Sequence, residues 1–201
     1  MTDGGRPLLE WSVATRTMIH EVESGDAHLV VEFARGALVA VVDGLGHGGD
    51  AAIAARAAVA VLADHAQESA ATLLQRCHEG LRGTRGAVMT LASFRDATMT
   101  WVAVGNVEGL LLRAGADGLP VRESILLRGG VVGYQIPPLR PATLPVNAGD
   151  TLVLASDGIR GAFADILDVA MPPREIADAI LSRYAKDTDD ALVLVARVMG
   201  S

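Results

Sequence analysis

The sequence predicts an α+β protein whose strands pair mainly in antiparallel fashion. Short apolar segments are joined by tight turns, as in β-hairpins. Two helical segments then follow each other directly, and a third stands alone near the end of the chain. This order lacks the regular alternation of strand and helix that indicates a parallel sheet, so the antiparallel class is favoured.

The first half of the chain is predicted to hold strands on either side of two helices. Tight turns at Arg35–Gly36 and Arg95–Asp96 each separate two strands. An Ala-rich helix begins near Asp50, whose carboxylate is predicted to accept amide hydrogens of the first turn as its N-cap. The predicted elements are strands Trp11–Ile19, His28–Phe33 and Leu38–Val42, helices Asp50–His65 and Ser69–Leu81, and strands Ala87–Phe94 and Thr98–Val104.

The second half is predicted to be mostly strands with one helix. That helix starts after Pro172 and Pro173, because proline fits the first helical turn. Its apolar residues Ile176, Ile180 and Tyr184 recur at the amphipathic period. The predicted strands are Gly109–Arg113, Arg122–Leu127, Thr151–Ala155 and Leu192–Met199.

Composition excludes several classes of protein. The 201 residues, half of them apolar, are enough for a single domain spanning residues 1–201. A net charge of -7 argues against nucleic-acid binding. One cysteine, Cys77, excludes an intramolecular disulfide; it lies on an apolar helix face and is predicted to be a core residue. Because the sequence has neither a signal peptide nor a long apolar run, we expect a cytoplasmic protein that does not bind membranes.

A glycine-rich loop follows the third predicted strand and allows two interpretations. Gly44, Gly46 and Gly49 form the G-x-G-x-x-G pattern of dinucleotide-binding folds. Asp43 disfavours this interpretation, because it would repel a pyrophosphate, and a second helix follows where a parallel strand is needed. Alternatively, a carboxylate at the end of a buried strand, followed by glycines, binds a hard cation. An ordinary Asp-Gly turn is the simplest explanation of the same residues.

The same arrangement recurs elsewhere in the chain. Asp157-Gly158 also ends an apolar strand, Asp189-Asp190 opens the last one, and Asp26 precedes the second. If these acids converge, their mutual repulsion calls for a bound divalent cation. From the residues alone, independent turn or cap positions remain an equal alternative.

These motifs resemble those of the metal-dependent protein phosphatases of type 2C, in particular the bacterial branch that contains the sporulation phosphatase SpoIIE. The resemblance implies a four-layer α-β-β-α sandwich with two mainly antiparallel sheets. It also implies hydrolysis of phosphoserine or phosphothreonine by a water activated by two metal ions. The motifs are Ser24-Gly25-Asp26, Asp43-Gly44-Leu45-Gly46-His47-Gly48, Gly149-Asp150 leading to Ala155-Ser156-Asp157-Gly158, and Asp189-Asp190.

The resemblance also implies roles for individual residues. Asp43 would bridge two Mn²⁺ or Mg²⁺ ions, and Gly44 would offer its carbonyl to one of them. Asp157 and Asp189 would complete the shell of the other ion, and Asp26 would act through bound water as an outer ligand. Catalysis is therefore assigned to Asp43, Asp157 and Asp189 through a metal-bound water.

Some positions depart from the family pattern or remain candidates. Asp190 is the second acid of its pair, whereas the family's ligand is the first. Amides of the loop that includes Gly46 and Gly48 are candidates for orienting phosphate. Leu45 stands where animal members have a candidate general acid; His47 is a possible replacement, and a loop histidine without a catalytic role is the alternative.

Three further expectations follow from the resemblance. The short length of the chain, without a sensor module, is similar to the stressosome phosphatases of this branch, so the expected partner is a phosphorylated STAS-domain protein. Arg16 is a candidate phosphate anchor, and Gly129–Tyr134 is a candidate substrate-contacting loop. A non-catalytic pseudophosphatase is the alternative function, although the retained acids argue against it.

Overall fold

The computed structural model describes residues 7–115 and 121–200, and the predicted domain limits, 1 and 201, lie outside this description. The helices are α1 Gly49–Asp64, α2 Ala70–Gly80 and α3 Pro173–Tyr184, with a short 3₁₀ helix at Gly161–Ile166. The strands are β1 Leu9–Arg16, β2 Asp26–Phe33, β3 Gly36–Gly44, β4 Ala87–Arg95, β5 Thr98–Val104, β6 Glu108–Leu112, β7 Arg122–Ser124, β8 Ala142–Pro145, β9 Thr151–Ala155 and β10 Ala191–Val198.

These strands form two five-stranded antiparallel sheets. One sheet has the order β1-β10-β9-β6-β7 and the other the order β2-β3-β4-β5-β8. Side chains such as Val39, Trp101 and Leu194 fill the space between the sheets. α1 and α2 cover the outer face of the second sheet, and α3 covers the outer face of the first. The predicted α-β-β-α sandwich is therefore confirmed.

The central strands are apolar on both faces because both faces are covered. In β3 and β10 nearly every residue is buried, one face against the opposite sheet and the other against a helix. Since aromatic residues make up only 3% of the chain, small side chains fill this interior. The buried side of α1 is mostly alanine, which lets the helix lie close to its sheet.

The start of α1 differs from the prediction. Its N-cap is Gly48, with φ of 73° and no side-chain cap, so the predicted capping role of Asp50 is wrong. Gly48 adopts a conformation that lets the chain enter the helix before Asp50, which then lies inside the first turn and pairs with Arg85 at 3.1 Å. α2 does have a side-chain cap, because the Ser69 hydroxyl accepts from the Thr72 amide.

Edge strands account for several differences from the prediction: β1 spans Leu9–Arg16 where Trp11–Ile19 was predicted, and β8 was not predicted. β8 carries Pro145 and is mostly exposed; a sequence with proline and little alternation is typical of an edge strand and is easily overlooked. β7 ends at Ser124 instead of Leu127, because Ile125 turns into the core while Leu126 and Leu127 face solvent. Within the described ranges, no helix is long and apolar enough to cross a bilayer.

Candidate metal centre

The acids singled out in the sequence meet at one end of the sandwich. Asp26 at the start of β2 is the direct cross-strand partner of Asp43 near the end of β3. On the other sheet, β9 ends beside the start of β10, and Asp157 and Asp189 follow and precede these strand ends and lie close enough to repel each other. Asp43, Asp157 and Asp189 together line a cavity of about 300 Å³. The antiparallel pairing within each sheet thus gathers residues that lie far apart in sequence.

The glycine after each of the two Asp-Gly aspartates is required by close packing of the backbone. A Cβ on Gly44 would lie 2.1 Å from the carbonyl oxygen of Ala51 in α1. A Cβ on Gly158 would lie 1.8 Å from the carbonyl oxygen of Asp190. Glycine at these positions therefore lets α1 approach the end of β3, and lets the turn after β9 approach the start of β10.

A serine ties the two sheets together beneath the cavity. The buried Ser156 hydroxyl donates a 2.6 Å hydrogen bond to Oδ2 of Asp26 and accepts one of 2.9 Å from the Leu192 amide. Asp26 thus has one carboxylate oxygen held by the opposite sheet. This contact fixes the β2 strand end against β9 and β10.

Burial and repulsion make ionisation of these carboxyl groups unfavourable. Burial, followed by repulsion from Asp190, Asp157 and Asp189, raises the pKa of Asp26 to about 7, although the hydrogen bond from Ser156 lowers it. Burial, with repulsion from Asp26 and Asp157 next, raises the pKa of Asp43 to about 8. The pKa of Asp189 is also raised, first by burial and then by Asp157. A bound cation would favour the charged forms of all three.

The two acids of the Asp189-Asp190 pair have different surroundings. Asp189 lines the cavity and accepts a hydrogen bond from the Asp190 amide. Asp190 is 4% exposed, and its two oxygens accept hydrogen bonds from the amides of Met18 and Gly25 at 2.8 and 2.7 Å. Asp190 therefore fastens both ends of the loop between β1 and β2, and its oxygens are engaged there.

The glycine-rich loop forms the rim of the cavity next to the first turn of α1. Gly46 and His47 line the cavity, and Gly48 caps α1. The side chain of His47 is 60% exposed, and its Nδ1 lies 2.5 Å from Oε1 of Glu21. Because β3 belongs to an antiparallel sheet and α1 leads directly into α2, the dinucleotide-binding topology is excluded.

Two residues that the sequence did not single out contact Asp157. Asn106 lines the cavity, and its Nδ2 donates a 2.8 Å hydrogen bond to Oδ2 of Asp157. Lys186 donates from Nζ to the Asp157 main-chain oxygen at 2.5 Å. In the sequence, Gly105-Asn106 has the composition of an ordinary hairpin turn, and no local pattern marks Lys186.

The remaining candidates lie around the site or in the core. The Arg16 guanidinium contacts the Lys186 carbonyl and the Asp187 carboxylate, so it is already engaged with the loop before β10. Cys77 is buried, and burial raises the pKa of its thiol to about 12, which confirms a core position. The Gly129–Tyr134 loop pairs with the start of β4 through Val132, and Tyr134 is 84% exposed.

The candidate ligands are all oxygen atoms, which suits a hard divalent cation. Within residues 7–115 and 121–200, no three His, Cys, Asp or Glu side chains are grouped closely enough to hold an ion by themselves. Mg²⁺ in proteins keeps several waters and is held through one or two carboxylates, so it does not require such a group. The carboxylates of Asp43, Asp157 and Asp189 around one cavity fit this mode of binding.

Comparison with known proteins identifies the family. The model of the family "Stage II sporulation protein E (SpoIIE)" matches residues 34–199. The phosphoserine phosphatase RsbX of Bacillus subtilis (strain 168) is 25% identical over 138 residues, which cover 67% of each chain. A structure of RsbX in complex with magnesium superposes with a TM-score of 0.79 at 19% identity, over 94% of this chain and 95% of that one.

Two other solved structures are similar. One, from work on "The bacterial stressosome: a modular system that has been adapted to control secondary messenger signaling", has a TM-score of 0.84 and 32% identity over 94% of this chain and 99% of that chain. The catalytic domain of the serine/threonine phosphatase PstP, in complex with two manganese ions, has a TM-score of 0.68 and 21% identity, covering 96% and 99%. This chain belongs to the SpoIIE family and has the fold of the type 2C serine/threonine phosphatases.

Proposed function

We propose that this protein is a metal-dependent serine/threonine protein phosphatase, with residues 1–201 acting as one catalytic domain. The observation that carries the proposal is the convergence of Asp43, Asp157 and Asp189, from two different sheets, around one cavity. Membership of the SpoIIE family and the similarity to RsbX support it.

The proposed cofactor is a pair of Mn²⁺ or Mg²⁺ ions. Asp43, Asp157 and Asp189 would hold the ions together with the carbonyl oxygen of Gly44, and Asp26 would act through water. Burial, and then repulsion from the neighbouring acids, raises the pKa values of Asp26 and Asp43, and a divalent cation would favour their charged forms. The magnesium in the RsbX structure and the two manganese ions in the PstP structure support this choice.

The chain itself supplies binding and orientation for phosphate ester hydrolysis. When bound, two divalent cations supply a water of lowered pKa and positive charge opposite the phosphoryl oxygens. Gly46 and His47 place the loop before α1 at the cavity rim, where backbone amides and the helix N-terminus favour an anion. Cys77 is buried, so the proposed chemistry uses no cysteine nucleophile.

The proposed substrate is a phosphorylated STAS-domain protein of a stressosome-like signalling complex. Two relatives support it: RsbX, which is named a phosphoserine phosphatase, and the similar structure from work on the bacterial stressosome. The Gly129–Tyr134 loop is the proposed contact for the partner. Its Val132 pairs with Ala87, and the neighbouring Gly86 carbonyl accepts from the Leu45 amide at the cavity wall.

The first experiment removes and restores the metal. We expect EDTA to abolish hydrolysis of p-nitrophenyl phosphate, and Mn²⁺ or Mg²⁺ to restore it, because the cation supplies the activated water. Iodoacetamide should leave the native enzyme active, since Cys77 is buried and its thiol has a pKa raised to about 12. Inactivation by iodoacetamide together with resistance to EDTA would overturn the proposed chemistry.

A second arm separates the phosphatase from the pseudophosphatase. A pseudophosphatase would retain a phosphorylated STAS-domain protein without releasing phosphate, whatever metal is added. Phosphate release that depends on Mn²⁺ and disappears in Asp43→Asn, but persists in Asp96→Asn, identifies the enzyme. Asp96 is a matched control, because it is an exposed aspartate in the turn between β4 and β5, outside the cavity.

A further inference from the structure

Asn106 is a neutral hydrogen-bond donor that lies among the acids of the site and contacts the carboxylate of Asp157. It lies in the short connection between β5 and β6 and lines the cavity with Asp43, Asp157 and Asp189. Its Nδ2 donates a hydrogen bond of 2.8 Å to Oδ2 of Asp157. Asn106 is itself exposed, so the folding of the core does not require this side chain.

The backbone that carries Asn106 is held on several sides. Gly105 has φ of 98°, and a Cβ there would lie 2.2 Å from side-chain atoms of Val88. The Gly105 amide donates to the Arg128 carbonyl at 2.7 Å, and the Thr90 hydroxyl donates to the Val107 carbonyl at 2.7 Å. These contacts fix the residues before and after Asn106, so its amide group is presented to Asp157 from a rigid base.

The hydrogen bond from Asn106 complements the one from Lys186. Lys186 holds the main-chain oxygen of Asp157, whereas Asn106 holds one side-chain oxygen, Oδ2. The rotation of the Asp157 carboxylate is thereby restricted, and no hydrogen bond from the protein engages its Oδ1 among the described residues. An amide does this without adding another negative charge to a site that already has several.

We infer that Asn106 is a positioning residue that orients the Asp157 carboxylate for cation binding. This inference rests on the proposed function, because it requires that Asp157 is a ligand. Partners that orient a metal ligand without touching the metal typically contribute about 10- to 100-fold to metal affinity or activity. Asn106 donates to Asp157 in the way such partners do.

The test compares Asn106→Ala with Asn147→Ala by calorimetric titration of the metal-free proteins with Mn²⁺. Asn147 is the matched control, because it lies in the turn before β9, in a different cavity. We expect Asn106→Ala to weaken Mn²⁺ binding by about 10- to 100-fold. Asn147→Ala should bind Mn²⁺ with the wild-type affinity. Metal-free Asn106→Ala should melt at the same temperature as the metal-free wild type, because the side chain of Asn106 is exposed.

Steady-state kinetics give a second readout. If Asn106 acts through the orientation of Asp157, the Mn²⁺ concentration needed for half-maximal hydrolysis of p-nitrophenyl phosphate should rise. kcat at saturating Mn²⁺ should return toward the wild-type value. Equal Mn²⁺ affinity of Asn106→Ala and wild type would overturn the inference, and so would a lowered melting temperature of the metal-free variant. Failure of the wild type to bind Mn²⁺ would instead overturn the proposed function.

Discussion

At the scale of single residues, the surroundings of Asp43 disfavour a charged carboxylate. Burial and the neighbouring acids raise its pKa from 3.8 to about 8. Between these values the folded protein retains a proton that the unfolded chain has released. The free energy of unfolding of the metal-free protein therefore falls as pH rises through this window. Asp43 therefore lowers the stability of the metal-free protein near neutral pH, and we propose that its role is to bind metal.

Replacement of Asp43 by Asn is expected to lower the phosphatase activity and to raise the stability of the metal-free protein. Activity should fall by more than about 100-fold, because removing even a partner that only orients a ligand costs about 10- to 100-fold. The metal-free variant should melt at a higher temperature than the wild type, and the difference should grow from pH 5.5 to pH 8, because Asn cannot ionise. Thermal melts in EDTA measure this, with Asp96→Asn as control. Activity within tenfold of wild type would contradict the assignment of Asp43.

His47 is expected to matter much less. It lines the cavity, but its Nδ1 pairs with Glu21 and its side chain is largely exposed. We expect His47→Ala to lower kcat by less than about tenfold, or 1.4 kcal/mol in barrier height, with the pH profile unchanged. Glu21→Gln should behave similarly, because it breaks the same pair. A much larger loss in His47→Ala, with disappearance of the alkaline limb of the profile, where a general acid loses its proton, would instead identify His47 as a general acid.

At the scale of secondary-structure elements, local sequence patterns predicted most of the strands and helices. Hairpin turns and apolar periodicity are short-range signals, and β5 and β9 have the predicted ends. Asp50 was wrongly predicted to cap α1, because Gly48 allows a backbone conformation that other residues disfavour. Asn106 was missed because its contact with Asp157 spans 51 positions, and local patterns carry no information on such pairs.

The packing of glycine between elements gives a prediction of its own. Gly158→Ala should destabilise the fold by about 2–3 kcal/mol, because its Cβ would meet the Asp190 carbonyl and the strand ends must move apart. Gly49→Ala is the matched control, since a Cβ there meets nothing within 4 Å. It lies in the first turn of α1 and should be neutral or slightly stabilising. Urea denaturation measures both, and equal stability of the two variants would contradict the packing argument.

At the scale of the whole molecule, the site depends on how the two sheets face each other. The position of each Asp-Gly or Asp-Asp motif at the end of a strand was predicted from the local sequence. The residues alone left open whether these acids converge. Resemblance to a known family implied the convergence, and the structure brings Asp43, Asp157 and Asp189 to one cavity. The Ser156–Asp26 hydrogen bond between the sheets is a contact that no local pattern could have predicted.

The surface around the cavity should determine which phosphoprotein is hydrolysed. The cavity is small, and Val88 in its wall follows Ala87, which pairs with Val132 of the Gly129–Tyr134 loop; the Tyr134 side chain of this loop is exposed. A folded partner that places its phosphorylated residue in the cavity would contact this loop, whereas a short peptide would reach only the cavity. Contacts made away from the reacting group can be used in the transition state, so their loss lowers kcat as well as binding.

We therefore expect a folded phosphorylated STAS-domain protein to be hydrolysed with a kcat/KM at least about tenfold higher than a phosphopeptide of the same local sequence, which corresponds to 1.4 kcal/mol. Tyr134→Ala should reduce the preference for the folded protein over the peptide. Hydrolysis of p-nitrophenyl phosphate should be unchanged, because the Tyr134 side chain is exposed and does not line the cavity that holds the acids. Phosphate release from both substrates measures the ratio directly. Equal kcat/KM for protein and peptide in the wild type would mean that the surface contributes no transition-state binding, and the partner assignment would then fail.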